Sequence, residues 1–351
     1  MSSATPALRV AVVGAGIAGL SCARSLADAG HAVQLFDKAR GVGGRLASRR
    51  VEWVDADGAQ RSVVFDHGAP GFSARSPTFR RFVDQAHARG ELVRWSPAMA
   101  PGSAEPLDGL SAWVPVPNMP SLCQGLLGSL PIALGCAVDA LDRDAHGWRL
   151  ECLGETVGEG FDQVVVAMPP RQASHLLQGH RADWAERAAR IPMLPCWTLM
   201  GVADAPVERG AAASGASAAP TWDVAWPRGP LASVIRNESR PGRLSVPGEA
   251  HWVAHASAPW SQVHLEAPAA DVQAMLQAAL ADCLGHPLHW RHALVQRWRD
   301  AAVPRSVAHA PGRCHWDTTL GLGVCGDFLG GAGAEGAWLS AQALAGAMLA
   351  P

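Results

Sequence analysis

Gly14, Gly16 and Gly19 form a Gly-x-Gly-x-x-Gly pattern, and Asp37 follows Gly14 by 23 residues. These types at these spacings suit a dinucleotide. The first glycine permits a tight turn, the second lets backbone approach a pyrophosphate, and the third lets helix and strand pack closely. A helix N-terminus at this point supplies free N–H groups for phosphates. Asp37 stands where a carboxylate binds a ribose 2′-hydroxyl. Lys38 comes next, so it belongs beside the adenosine ribose and away from a reaction centre. A glycine-rich turn without a ligand is the plain alternative. A second cluster, Arg40-Gly41-Val42-Gly43-Gly44-Arg45, follows directly. Its adjacent glycines let the chain pass close to a long ligand, and Arg45 can pair with phosphates. A surface loop is the competing reading. The third motif is Gly326-Asp327 with Glu335-Gly336-Ala337-Trp338-Leu339-Ser340. A carboxylate ending a strand suits a sugar hydroxyl, and Gly336 opens a helix with outward N–H groups.

These motifs need elements to hold them. Residues 8–13 read as a buried parallel strand, 20–29 as a helix stopped by Gly30, and 32–37 as a second strand. That is the start of a parallel α/β sheet. Helices are predicted at 76–95, 171–190, 269–284 and 336–349. Strands are predicted near Trp113, across 132–153, at 163–168, around 222–226, 231–236 and 251–256, and at 320–325. Residues 209–220 are low-complexity and read as a loop. The expected fold is α/β. A Rossmann-like dinucleotide-binding domain would comprise 1–75, 128–178 and 316–351. An inserted β-rich α+β substrate domain would comprise 76–127 and 179–315.

Composition removes several function classes. The 351 residues are 48% apolar and 17% charged, with 31 acidic against 29 basic side chains. That length suits about two domains, and the near balance argues against nucleic-acid or polybasic membrane-surface partners. The chain has no tyrosine, and Lys38 is its one lysine. A Schiff-base enzyme needs a lysine amine in its pocket, so that class is set aside. The eight cysteines contain no C-x-x-C pair, so zinc spacings are missing and no metal site is expected. The apolar run 10–20 carries motif glycines and is not read as a signal peptide. No run reaches the ~18 apolar residues that span a bilayer. A cytoplasmic protein is expected.

The chain resembles the bacterial renalase branch of the flavin amine oxidase superfamily. The matching residues are Leu35-Phe36-Asp37-Lys38-x-Arg40-Gly41-x-Gly43-Gly44-Arg45, Gly68-Ala69-x-x-Phe72-x-Ala74-Arg75, Trp113-Val114, and Pro117-x-Met119. They continue with Arg236-Asn237-x-Ser239-x-Pro241-x-Arg243, His255-Ala256-x-x-x-Trp260-Ser261, and the Gly326-Asp327 and Glu335-to-Ser340 motifs. The resemblance implies non-covalent FAD. Its contacts would be Gly14, Gly16, Ile17, Ala18, Gly19, Asp37 and Lys38, then Gly43, Gly44, Arg45, Gly68 and Ala69. Val138, Gly326, Asp327, Gly336, Ala337 and Trp338 complete the set. The final helix would face the flavin N1–C2=O edge and stabilise charge there. It further implies oxidation of 2- or 6-dihydroNAD(P) isomers to NAD(P)+ by hydride transfer to flavin N5, with dioxygen reduced to hydrogen peroxide.

Amine-oxidising relatives typically keep a lysine near flavin N5 and tyrosines around the amine, and this chain has neither. Tryptophans can still cage an amine, so a small-molecule amine oxidase or a desaturase-like dehydrogenase stays open. So does a flavin-binding protein without turnover. Relatives commonly have Gln-Tyr where this chain has Pro70-Gly71, and Ser-Gly where it has Ser340-Ala341. The substrate candidates are His255, which could donate to a carboxamide or hold a water, Asn237 with Arg236, and Trp298 as a stacking face. Each has a structural alternative as a core or turn residue. His67, beside Gly68-Ala69, is a further candidate, more readily read as a cap or surface residue.

Overall fold

The computed structural model describes residues 7–103, 112–205, 222–307 and 313–350. Its central sheet has six strands from well-separated stretches of chain, in the order His315–Asp317, Leu322–Val324, Gln163–Val166, Arg9–Val13, Ala32–Asp37, Ile132–Leu134. All neighbours are parallel except the His315–Asp317 edge. The run Val10-Ala11-Val12-Val13 is apolar throughout because both faces of its strand are covered. Val10 and Val12 join one core with Leu20 and Leu26 of the helix Ile17–Asp28 and Leu344 of the helix Gly333–Leu349. Ala11 and Val13 join another with Trp148, Leu150 and Phe161, from the antiparallel sheet that includes Gly147–Cys152 and Glu155–Phe161.

A second, antiparallel sheet runs Val224–Ala225, Leu231–Arg236, Glu249–Ala256, Leu194–Asp204, Trp290–Ala302. Val272, Leu276 and Leu280 recur every four residues along the helix Ala269–Leu284 and seal one face of it. On the other face Met200, Val202 and Val253 meet Val51, Val63 and Phe65. These three belong to the hairpin Ser48–Val54 and Gln60–Asp66. The protein is thus a mixed α/β fold, a Rossmann-like sheet joined to a further β-rich unit.

Several element boundaries differ from the sequence expectation. The helix expected over 76–95 ends at Ala88, and Leu92–Trp95 is a strand paired with Ala112–Pro115. Gly90, at φ +75°, turns the chain between them. The helix expected over 171–190 is two, Pro170–Leu177 and Ala182–Ala189. The last helix starts at Gly333, three residues early. The long strands Leu194–Asp204 and Trp290–Ala302 and the Ser48–Asp66 hairpin were not anticipated. Trp290–Ala302 mixes arginine, glutamine and tryptophan, which hides a strand that borders the cavity described below. The loop expected at 209–220 lies outside the described residues.

Candidate functional site

A cavity of about 2850 Å³ runs from the tip of the first strand to the face of the second sheet. Gly14, Gly16, Ile17 and Ala18 line its inner end. The three motif glycines divide their tasks. A Cβ on Gly14 would stand 2.3 Å from the Ala167 carbonyl oxygen, and one on Gly19 1.8 Å from that of Gly14. Both serve backbone packing, and Gly19 does not line the cavity. A Cβ on Gly16 would meet no protein atom within 4 Å. That open face is the space a pyrophosphate needs. Gly43 and Gly44 close over the turn: the Gly43 N–H donates to the Ala15 carbonyl oxygen at 2.9 Å, and a Gly44 Cβ would lie 3.4 Å from the Gly16 Cα. Both have positive φ, +120° and +57°. Asp37 accepts from the N–H of Ala15 at 2.6 Å and of Ala39 at 2.7 Å. Its carboxylate therefore shapes the turn while facing the cavity. Lys38 lines the same end and donates to Gln172 Oε1 at 2.8 Å, which removes it from any reaction centre. Val138 lines that end as well.

Arg45 and Asp327 meet as a bidentate ion pair, both contacts 2.7 Å. The sequence assigns them separately to phosphate and sugar. The fold joins them, with Asp327 2% exposed, so the fork that would grip a phosphate faces a carboxylate. Gly336 is a packing residue, since its Cβ would lie 1.6 Å from the Gly331 carbonyl oxygen. The helix opening at Gly333 brings Gly333, Gly336 and Ala337 to the cavity. Glu335 accepts from the N–H groups of Arg75 and Ser76 at 2.9 and 2.6 Å, tying this helix to the start of Pro77–Ala88. Trp338 is a correction. It does not line the cavity, because its ring packs against Phe79 and Phe82 on the core side of the helix. The rest fits FAD: an open face above Gly16, a carboxylate at the second strand's end, and a helix N-terminus at the far side.

At the other end, Gly68 and Ala69 lie against His255, Trp298 and His67. His255 Nε2 is 2.8 Å from the Gly68 carbonyl oxygen and Nδ1 is 3.0 Å from Ser233 Oγ. A carbonyl only accepts, so Nε2 carries the proton and Nδ1 accepts from the serine hydroxyl. Both ring nitrogens are engaged with protein partners, while the residue itself lines the cavity. Through Nε2 it also positions Gly68. Burial, then the Arg240 charge, pushes its pKa down to about 4. Ser233 and His255 do not form a hydrolytic triad, since the third member is a carbonyl and not a carboxylate. Asn237 is placed away from the cavity. It is 1% exposed and lies outside the cavity wall. Its Oδ1 accepts from the Asp66 N–H at 3.1 Å and its Nδ2 donates to the Val64 carbonyl oxygen at 3.1 Å. Arg236 also lies off the wall.

Trp298 does line the cavity. Its ring lies 5.1 Å from the His67 ring at 32°, and its Nε1–H donates to the His67 carbonyl oxygen at 3.2 Å. His67 is 7% exposed, and its Nδ1 is buried without a hydrogen-bond partner among the described residues. Burial, then the Arg49 charge, lowers its pKa to about 4. Cys196 also reaches the wall, with burial pushing its thiol up to about 11, so it is not a thiolate nucleophile. Sequence reasoning missed Arg49, Gln296 and Arg297, which line this end too. Strand alternation over 290–302, which puts Gln296 on the face of Trp298, could have signalled Gln296 alone. No group of three His, Cys, Asp or Glu among the described residues could hold a metal, and no described helix is long and apolar enough to cross a membrane.

Comparison with known proteins agrees with this geometry. Residues 12–86 match an NAD(P)-binding Rossmann-like domain, and residues 109–349 match the flavin containing amine oxidoreductase family. A probable zeta-carotene desaturase of Synechococcus elongatus is 53% identical over 51 residues, 14% of this chain and 10% of that protein. A mouse L-amino-acid oxidase is 45% identical over 56 residues, 15% and 9%. These matches thus span about a tenth of the curated relatives. Among solved structures, a putative protoporphyrinogen oxidase from an Exiguobacterium species aligns with TM-score 0.65 at 12% identity, covering 98% of this chain and 99% of that one. Cyclohexylamine oxidase from Brevibacterium oxydans aligns with TM-score 0.59 at 13% identity, covering 98% and 99%. These two share the fold. With the family match spanning more than half of the residues and a cradle that fits the cofactor, the chain belongs to the flavin-containing amine oxidoreductases, a family of FAD-binding oxidoreductases.

Proposed function

We propose that this protein oxidises dihydronicotinamides bearing their hydride at ring position 2 or 6, returning NAD(P)+, with dioxygen reduced to hydrogen peroxide. The observation that carries the reading is the uncharged aromatic pair His67 and Trp298 beside Gly68 and Ala69. When bound, FAD supplies the hydride acceptor and passes the electrons to dioxygen. The chain's own residues orient the substrate. Trp298 offers a face for a planar ring, and His67 backs that face as a neutral imidazole. His255 holds the Gly68 carbonyl and thereby the line of the Gly68–Ala69 segment. A dihydronicotinamide becomes aromatic on losing hydride, so no protein base is required. Two histidines with pKa near 4 and a thiol near 11 suit such a site. Rate would come from positioning.

A second reading is oxidation of an amine, favoured by the Trp298 ring on the cavity. Against it, an ammonium would meet the like charge of Arg49, which lines the same cavity. An anaerobic experiment separates the two. Purified protein with bound flavin is mixed with dihydroNAD isomers, with 4-dihydroNADH, or with a panel of amines, and visible absorbance is followed. Rapid bleaching by the isomers alone is expected, with peroxide on readmitting air. Bleaching by an amine alone would establish the second reading. No bleaching by any donor would leave a flavin-binding protein without this turnover.

A further inference from the structure

The geometry points to an anion-binding position at the substrate end of the cavity, formed by Arg49 with Gln296 beside the His67–Trp298 wall. It selects a planar substrate bearing a carboxylate or phosphate. The inference rests on the reading of this end as the substrate chamber, and it names the charge that chamber accepts.

Arg49, Gln296, His67 and Trp298 all line the same end. Arg49 lies on the hairpin strand Ser48–Val54 and Gln296 on the long strand Trp290–Ala302, so each β-unit supplies one side. The Arg49 guanidinium donates to Gln296 Oε1 at 3.2 Å. Among the described residues it has no carboxylate partner. Its cationic neighbours differ. Arg297 and Arg299 share Glu266, at 3.3 Å and 2.9 Å. The acid at this wall, Asp300, accepts from Gln172 at 3.1 Å, which in turn holds Lys38. One positive charge is therefore uncompensated, and it stands near enough to His67 to disfavour that ring's protonation. A guanidinium beside the Trp298 ring complements a planar substrate whose substituent carries oxyanions, and its planar fork matches carboxylate or phosphate. An ammonium substrate would meet a like charge.

The test uses holoprotein with FAD bound and follows perturbation of the flavin's visible absorbance on titration. The probes are nicotinate, NADP+, nicotinamide and benzylamine. The wild type is expected to bind nicotinate or NADP+ more tightly than nicotinamide, with benzylamine weakest. Arg49→Gln should weaken the anionic probe about 5- to 50-fold and leave nicotinamide within about twofold. The anion's advantage should shrink with added salt. Arg50 is the control. It neighbours Arg49, lies off the cavity wall and bonds Ser62 Oγ at 3.2 Å. Arg50→Gln should change none of the affinities. A response with nicotinate assigns the anion to a ring carboxylate, and one with NADP+ alone assigns it to a phosphate on a longer ligand. Equal weakening of anionic and neutral probes, no effect of Arg49→Gln, or tightest binding of benzylamine overturns the inference. If dihydroNAD isomers fail to bleach the flavin while Arg49→Gln still weakens the anion, the substrate reading falls and the anion site stands. If the isomers bleach with an unchanged KM in Arg49→Gln, the anion site falls alone.

Discussion

His255 donates its Nε2–H to the carbonyl oxygen of Gly68 across 2.8 Å, joining residues 187 positions apart. The bond connects the second sheet to the segment bordering the cofactor cradle. Ser233 fixes the ring from the other side at 3.0 Å. A histidine held at both nitrogens in a buried place is a strut, and its neutrality is part of that role.

The neutrality of His67 and His255 sets a pH dependence. Their folded pKa values lie near 4 against an ordinary 6.5, with burial the largest cause in both. Between these values the unfolded chain binds protons that the folded chain refuses. Stability is therefore full above pH 6.5 and falls as pH drops toward 4. A loss on the order of 1–3 kcal/mol per histidine is expected in that window. Denaturant unfolding at several pH values measures it, and His255→Gln should flatten the slope. An unchanged slope would remove His255 from the account.

Gly16 and Gly19 separate cofactor binding from folding. Gly16→Val places a side chain where protein leaves 4 Å of clearance, so the apoprotein should keep its stability within about 1 kcal/mol while bound FAD is lost. Gly19→Val drives a Cβ into the Gly14 carbonyl oxygen and should lower Tm of the apoprotein itself. Flavin content per protein, read beside thermal unfolding, distinguishes the two. A Gly16→Val protein with full flavin would overturn the cradle.

Asp66 holds two buried cations. It is 1% exposed, accepts from Arg243 Nε at 2.7 Å, and lies 3.5 Å from Arg240 Nη1. Asp66→Ala leaves both guanidiniums without their carboxylate. A loss of about 3–5 kcal/mol is expected from denaturant unfolding. Because Asp66 precedes His67, the cavity wall should loosen too.

Trp298→Leu keeps an apolar side chain but removes the ring that lies 5.1 Å from the His67 ring. KM for an aromatic substrate should rise roughly tenfold, while flavin content stays unchanged. An unaltered KM would show that the substrate ring lies elsewhere.

The cradle was legible because its constraints are local. Gly14, Gly16 and Asp37 are fixed by one turn and two strands. The apolar run 10–13 announces a strand covered on both faces. The family was readable for the same reason, through motifs kept in short runs. The substrate end was not. His67, Arg49 and Trp298 come from three segments, and only tertiary packing brings them together. Residue type suggested that Arg45 grips phosphate, that Asn237 touches substrate and that Trp338 faces the cofactor. The fold turned each toward a nearer partner, Asp327, Asp66 and Phe79. Local spacing sets turns and helix faces, whereas charge pairing and aromatic packing depend on chain ends that meet only after long-range strands pair. The sequence by itself determined a dinucleotide cradle. The tertiary structure decided which of its polar residues stay free to meet a ligand.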